Sequence, residues 1–545
     1  MIDVLVIGSG GAGLTAALEA KANGANVTVL SKTYPTRSQT SMAQGGMNAS
    51  LGHAGEDSAA MHIADTLKAG VGIADESAVA KLCEKAPEAV NWLNEKGVAF
   101  SRNKDGKIAQ RKMGAASADR ACYAQDYTGL KILHALYDEC LAAGVEFLND
   151  HFLLNFIVED NQVLGVTCID MKVTRVKAIA AKSVIVATGG YSKMYHNFST
   201  NSAGSTGDGI AAAIRAGCKL SDLEFVQFHP TALKNSAILI SESARGAGAY
   251  LLNADKERFT DELAARDIVA RAIYEELDKE GGEVYLDMRH LGEAFIQEEL
   301  PQERKLAKLY ENVDPVTDLL PIKPVAHYCM GGIVVDENSH TDVKGLFAVG
   351  ECANHNVHGA NRMGGNSLLE LVVFGKEAGR NSAEFAKTHN KMARNENQYN
   401  SDVAFIAACF NNFTCQIDFY EKHEFLGKIA YRNAGIIRTE MNLKGVLGVI
   451  RQMQKEFTFM GVKDKLPSYN TNLIEFLEFG NVIELAEIVL VSAISRTESR
   501  GAHFREDHPH TDDKKFKNHT ISWKEDGVLC NDFIANKGVP NESKR

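Results

Sequence analysis

The sequence predicts an α/β fold: a parallel sheet at the core, an inserted α+β unit, a helical region behind it and a C-terminal tail. Three observations predict it. The chain opens on strand, glycine turn, helix and strand; two later apolar runs return to the sheet and each ends in glycine; and a stretch beyond residue 400 carries apolar residues at helical spacing. At 545 residues the chain is too long for one compact core, so several domains are expected.

The opening run is Asp3 to Ile7, β-rich and short. Gly8-Ser9-Gly10-Gly11-Ala12-Gly13 follows, then a helix-like stretch from Leu14 to Ala22 and a second strand from Asn26 to Ser31. A glycine-rich turn alone would be weak, but in this setting G-x-G-x-x-G is a dinucleotide site. Gly8 allows the tight turn, Gly10 beside Gly11 lets backbone amides approach a pyrophosphate, and Gly13 permits close helix packing. The second strand usually ends in an acid that binds a ribose; here Ser31-Lys32 stands there.

Ser183 to Ala187 reads as a buried strand ending in Thr188-Gly189-Gly190, and Leu346 to Val349 repeats the pattern before Gly350-Glu351. A simple NAD domain has no need of two such returns, whereas FAD spans several strand ends. The expectation is a Rossmann-like FAD-binding domain over 1–230 plus 325–386, interrupted by a capping domain over 231–324. The polar stretch Lys387 to Ser401 reads as a linker into a helical domain over 402–500, where Ile436, Leu443, Leu447 and Ile450 recur helically; 501–545 is a C-terminal segment.

Composition narrows the function. The hydrophobic share of 45% and charged share of 24% are those of an ordinary soluble protein, and the net charge of −11 argues against a nucleic-acid partner while leaving room for local basic pockets that hold an anionic substrate. Ten cysteines, among them Cys83, Cys168, Cys218 and Cys530, form no C-x-x-C pair, so neither an iron-sulfur cluster nor a redox dithiol is expected here. The start, MIDVLVIG, reads as a strand rather than an export signal. The most apolar stretch, Ile488 to Ile494, is cut short by Glu487 and Arg496, well under the ~18 residues a span needs. A cytoplasmic protein is expected, reaching the inner face of the membrane only through partner subunits.

Four blocks then coincide: Ser31-Lys32 with Arg37-Ser38-Gln39-Thr40 and Ala43-Gln44-Gly45-Gly46; Phe228-His229-Pro230-Thr231; Ala326-His327-Tyr328-Cys329-Met330-Gly331-Gly332; and His358-Gly359-Ala360-Asn361-Arg362 through Asn366-Ser367-Leu368. Together they resemble the flavoprotein subunits of succinate dehydrogenase and fumarate reductase, over nearly the whole chain. L-aspartate oxidase, of the same superfamily, shares several of them. Tyr285 to Gly292, Val325 to Gly332 and the tail from Glu498 to Thr520 are similar to the respiratory pair instead.

The resemblance implies a C4-dicarboxylate site and its residues. Arg362 grips one carboxylate through two parallel N–H bonds, which lysine cannot reproduce. His229, Thr231 and His327 supply further donors. Arg266 matches the family's proton donor, and Glu242 and Asp267 match the acidic partners of its relay; a histidine, His229 or His327, is the rival acid. Arg266 and Arg362 are expected to face one substrate from opposite sides of the flavin edge. Taken singly, each of these is as well explained as a structural hydrogen-bonder or ion pair, and only their joint order makes the set a site. Arg245, Arg258 and Arg271 read as structural partners and His358 as a lesser candidate. Further flavin contacts implied are Gly45, Gly46, Thr188, Gly189, Asp208, Glu351, Ser367 and Leu368, with turn or cap roles as the alternative for Asp208 and Ser367.

Two departures stand out. Members with covalent flavin carry histidine in R-S-H-T, and here Gln39 follows Ser38 and precedes Thr40; glutamine has no comparable nucleophile, so FAD is expected to be held non-covalently and the reductive direction favoured. The usual F-G-G that covers the substrate is replaced by Met113-Gly114-Ala115. Electrons would arrive from a separate iron-sulfur subunit, linked to a membrane anchor or a soluble donor. The competing functions are L-aspartate oxidase and a catalytically idle flavin-binding scaffold. His503, His508 and His510 fit no standard metal spacing and read as a solvated tail turn.

Overall fold

The computed structural model describes residues 2–535 apart from positions 392, 394 and 412. Five strands run parallel in the order Glu146–Asn149, Val27–Ser31, Ile2–Ile7, the latter half of Arg175–Val186, and Leu346–Ala348. The second and third are almost wholly buried, as helix-covered parallel strands must be. The strand Arg175–Val186 does double duty. Its residues 175–180 pair antiparallel with Gln162–Asp170, which pairs in turn with His151–Glu159, so a meander hangs from the parallel sheet.

The expected opening unit forms, with the helix at Gly11–Ala22 between two parallel neighbours. Gly8 has a φ of +109°, and a Cβ there would lie 2.2 Å from the Ala187 oxygen; one on Gly13 would lie 2.0 Å from the Gly8 oxygen. Only glycine lets the turn fold this tightly against the neighbouring strand end. The helix Asn366–Thr388 packs across the first helix, burying Ala378, Ser382 and Ala386.

The inserted segment builds a four-stranded antiparallel sheet in the order Val226–Leu233, Leu320–Cys329, Tyr285–Asp287, Tyr250–Leu252. Its apolar cluster, with Leu251, Ile273, Leu286 and Ile322, is separate from that of the parallel sheet. Two irregularities shape its first strand pair. Gln227 faces Tyr328 and Phe228 faces Ala326, so His327 is an extra residue on its strand; His229 faces Val325 and Ala232 faces Lys323, so the Pro230-Thr231 pair carries the second bulge. Bulges re-aim side chains, and one at Pro230 spares the ladder a missing N–H.

Helices Phe419–Asn433, Glu440–Glu456 and Thr471–Ser495 bury Leu426, Leu443, Leu447 and Ile450 in one cluster with Val184 and Val186 of the parallel sheet. The polar connection is shorter than the expected Lys387 to Ser401. One helix runs to Thr388 because Ala383 and Ala386 still face the core, and another already starts at Asn397. Of the expected solvated tail turn, most of residues 506–515 are exposed but His503 is not. His503 is 0% exposed, accepting from Arg438 Nη1 at 2.8 Å through Nδ1 and donating from Nε2 to the Arg496 carbonyl at 3.0 Å. Both ring nitrogens are engaged, so it cannot join His508 and His510 around an ion. Strands Asn518–Glu525 and Val528–Ala535 follow, the first pairing with Leu220–Ser221; positions 536–545 of the expected C-terminal segment lie outside the described residues. Among the described residues no helix is long and apolar enough to cross a membrane.

Candidate active site

A cavity of about 450 Å³ opens at the carboxyl ends of the parallel strands, touching Ile7, Ser31, Ala187 and Val349, and runs from the glycine turn to the inserted segment. Every predicted cofactor residue lines it except Gly13, which is spent on the Gly8 backbone. The glycine turn leads into the N-terminus of Gly11–Ala22, whose cap residue Gly10 has no side chain; the Gly11 N–H donates to Thr40 Oγ1 at 3.0 Å, and this helix end borders the cavity where a pyrophosphate would lie. Two buried polar atoms on the same wall, Ser38 Oγ and Asn201 Nδ2, have no partner among the described residues. Orphans of this kind call for a ligand, and the donors present fit FAD.

Lys32, in place of the ribose-binding acid, is held at 2.7 Å by Asp208 and 2.6 Å by Glu478 of the helix Thr471–Ser495. Burial opposes its charge, but those two carboxylates raise its pKa nonetheless. Asp208 thus lines the cavity as the partner of Lys32. Gln39 turns its Oε1 to the Ser202 N–H at 2.7 Å. Glu351, whose Oε1 accepts from Cys329 N at 3.0 Å, is pushed up by burial to about 7, so near neutrality it can donate or accept toward a hydroxyl. Ser367 and Leu368 open the helix Asn366–Thr388, whose positive end faces the same space.

At the far end the inserted segment supplies charge. Arg266, first residue of helix Arg266–Leu277, meets Glu242 Oε2 through Nε at 2.7 Å and Nη2 at 2.5 Å. Burial would raise Glu242, but Arg266 and Arg245 pull it below its ordinary value, so it stays ionised. Arg362 stacks its guanidinium 4.3 Å from the Tyr328 ring centroid, and its buried Nε has no partner among the described residues. Burial and the neighbouring Arg266 push Arg362 down to about 10, the mark of a cation short of counter-charge.

The two histidines meet edge to face with centroids 4.8 Å apart. His327 spends Nδ1 on Thr200 at 2.7 Å, and both histidines are held well below their usual pKa, first by burial and then by Arg266. They are neutral. The bulge at His327 explains how His327 and Tyr328, adjacent on one strand, both reach the cavity.

Arg266, Glu242, His229, His327 and Arg362 therefore converge as predicted, with three adjustments. Thr231 is fully buried off the cavity; its hydroxyl donates to the Ile240 carbonyl at 2.8 Å and its backbone braces His229. Asp267 does not touch the Arg266 guanidinium, because at the second position of the helix its carboxylate points to Asn361 Nδ2 at 3.1 Å. The two guanidiniums sit side by side, sharing Gln227 Oε1 as acceptor at 2.9 and 3.2 Å, rather than on opposite sides.

Sequence reasoning passed over three residues. Arg245, taken as structural, stands three positions after Glu242 on the same short helix with Nε and Nη2 buried and unpartnered among the described residues. The i, i+3 spacing from Glu242 was the available signal. Gln227 precedes His229 by two on a strand, hence on the same face. Tyr328 lay within a recognised block; its hydroxyl donates to Glu370 at 2.6 Å, which also binds His358 Nε2 at 2.9 Å, so His358 stands one layer behind the cavity. Arg258 and Arg271 have structural partners, Glu262 and the ring of Phe504.

The comparisons agree with this geometry. Residues 3–368 match the family described as FAD binding domain, and residues 423–531 that described as Fumarate reductase flavoprotein C-term. The 8-methylmenaquinol:fumarate reductase flavoprotein subunit of Wolinella succinogenes is 39% identical over 95% of this chain and 88% of its own. The succinate dehydrogenase flavoprotein subunit of Rickettsia conorii is 37% identical over 95% and 92%. In three dimensions the chain is similar to E. coli quinol fumarate reductase, with a TM-score of 0.94 at 34% identity over 98% of this chain and 97% of that one. A glycine turn that receives FAD and a cluster of two arginines and two histidines at the cavity's far end thus belong to one lineage: the chain is a member of the fumarate reductase and succinate dehydrogenase flavoprotein subunit family.

Proposed function

We propose that the chain is the catalytic flavoprotein subunit of an enzyme that interconverts fumarate and succinate, with reduction of fumarate the favoured direction. The observation that carries this reading is Arg362, buried with an unpaired Nε in the wall of the FAD cavity beside Arg266 and two neutral histidines. A buried guanidinium without a carboxylate is costly and calls for an anionic ligand. A dicarboxylate supplies it.

Reduction of the C=C bond adds a hydride to one carbon and a proton to the other. Bound FAD supplies the hydride when reduced. Arg362 grips one carboxylate, fixing the alkene's orientation and drawing electron density from the carbon that receives hydride. His229 and His327, both neutral, each offer one N–H donor and cannot serve as strong acids. The proton therefore falls to Arg266. Guanidinium is a poor acid, with a pKa above about 12, so it must be reprotonated at once. Glu242 touches two of its nitrogens, so a proton reaching that carboxylate can pass to Arg266 as the substrate carbon takes one, while Arg245, on the same short helix, acts on Glu242 through its charge. Met113, 2% exposed and on the cavity wall, excludes water from above.

Gln39 supports non-covalent FAD, since its amide is no nucleophile and is already bonded to Ser202. A non-covalent flavin has the lower potential, which favours reduction. The ten cysteines form no C-x-x-C pair in the sequence, which supports electrons arriving from a separate iron-sulfur subunit joined to a membrane anchor or a soluble donor. The protein then sits in the cytoplasm, peripheral to the inner face of the membrane through those partners.

Turnover of the purified, FAD-containing protein with fumarate and reduced viologen tests this. Oxidation of the viologen with one succinate formed per two electrons is expected. Peroxide from L-aspartate and oxygen would assign the oxidase instead, and fumarate that neither turns over nor perturbs the flavin spectrum would assign an idle scaffold.

A further inference from the structure

Gln227 lies on strand Val226–Leu233, 0% exposed, behind the cavity wall. Its side-chain oxygen accepts from Arg266 Nη1 at 2.9 Å and from Arg362 Nη2 at 3.2 Å. Its side-chain nitrogen donates to Asn361 Oδ1 at 2.8 Å and to the Arg362 carbonyl at 2.7 Å. The orientation is forced: turning the amide over would set donors against two guanidiniums and an acceptor against two oxygens, losing all four bonds. Asn361 is oriented in turn by Asp267, which accepts from its Nδ2 at 3.1 Å.

We propose that Gln227 is a positioning residue that fixes the spacing of Arg266 and Arg362 through one shared neutral acceptor, with Asn361 and Asp267 setting its orientation. The assignment deepens the dicarboxylate reading and rests on it. Two guanidiniums side by side repel each other, and something must hold them at a set distance. A carboxylate there would hold them more strongly, but it would neutralise the charge meant for the substrate. An amide oxygen binds both and neutralises neither. It also takes one edge of each group: Arg266 keeps Nε and Nη2 for Glu242, and Arg362 keeps Nε and Nη1 for a ligand. Donor and clamp are thereby coupled, so moving one moves the other.

The test uses the full-length flavin-containing protein and its Gln227→Leu and Gln227→Glu variants, assayed with fumarate and reduced viologen between pH 5.5 and 8.5, with flavin content and melting measured for each. Gln227→Leu is expected to lose about 100-fold in kcat/KM, in both kcat and KM, as a displacement of about 1 Å at reacting groups does. Gln227→Glu, nearly the same shape, still offers both guanidiniums an acceptor but stays ionised between them and cancels charge meant for the substrate, so it is expected to raise KM at least about tenfold across this pH range, with a smaller fall in kcat than in Gln227→Leu. A role in folding alone would not raise KM in this way while flavin content and melting are kept. Should Gln227→Leu fail to retain flavin, Gln227→Glu decides. Kinetics within about twofold of wild type in Gln227→Glu at every pH, or a loss in kcat with KM unchanged, overturn the assignment. If the wild type itself is inert toward fumarate, the dicarboxylate reading fails and this assignment falls with it.

Discussion

Glu242 and Gly114 meet across the seam between the inserted segment and the parallel-sheet half, the Gly114 N–H donating to Glu242 Oε1 at 2.5 Å. Ala115 N adds a second bond across the seam, to the Leu263 carbonyl at 3.0 Å. Glu242 is therefore held from both sides, by Arg266 on one oxygen and a backbone amide on the other. The proposed proton relay needs the inserted segment seated on the loop at 113–115, which would tie its chemistry to that seating.

That contact makes Gly114→Ala informative. A Cβ at 114 would lie 2.2 Å from Glu242 Oε1, so the carboxylate must shift and lose its amide donor. The expected outcome is a fall in kcat of about tenfold or more with flavin content unchanged, since residue 114 does not line the cavity. Steady-state fumarate kinetics on the flavin-replete variant check it; unaltered kcat would show that Glu242 need not be held from this side.

The flavin linkage has a simple assay. Gln39 lines the cavity where relatives with covalent flavin place histidine, and its amide is bonded to Ser202. Acid precipitation of the purified protein should leave FAD in the supernatant and a colourless pellet. A pellet that keeps its flavin would overturn the non-covalent reading.

What the sequence allowed one to read depended on how local each feature is. The opening strand, turn and helix were legible because strand and helix periodicity and the glycine spacing all lie within thirty residues. Side-chain direction was not. Thr231 lies within a bulge that turns it from the cavity, and His327 is brought into it by another; neither bulge has a signal short of the strand pairing itself. Asp267 adjoins Arg266 in sequence, yet a helix sends neighbours 100° apart, and it met Asn361 instead. Polarity misled at His503, because a buried network with Arg438 satisfies it. Gln227 was within reach by alternation from His229, but a residue that acts through others has no motif of its own.

Met113 tests the cover. It is buried on the cavity wall, its Cε 2.9 Å from where a Cβ on Gly45 would sit. Met113→Ala opens space above the substrate and admits water, so KM for fumarate should rise several-fold and longer dicarboxylates should become better competitors. Inhibition constants for a series of increasing chain length measure this, and an unchanged order would remove Met113 from substrate selection.

A pair of buried carboxyls makes the seating of the inserted segment sensitive to pH. Asp126, in the parallel-sheet half, caps the helix Pro301–Tyr310 of the inserted segment, accepting from Gln302 N at 2.7 Å and Glu303 N at 3.1 Å. Burial pushes Asp126 up to about 6, and burial together with Asp126 pushes Glu303 well above its ordinary value; Arg111 is the opposing cation, and Gln44 and the Ser241 N–H also face Glu303. Both folded-state values are raised, so the stability these groups contribute is full below about pH 4, where unfolded carboxyls also carry protons, and is lost as pH rises through 6. Each pKa unit of such a shift corresponds to about 1.4 kcal/mol. Asp126→Asn keeps an acceptor for the helix amides and removes one of the two charges. Its melting temperature should match wild type near pH 3.5 and exceed it at pH 7.5, the gap opening between pH 4 and 6. A gap of constant size across that range would mean that the two carboxyls do not share a titration, and that the cap works by geometry alone.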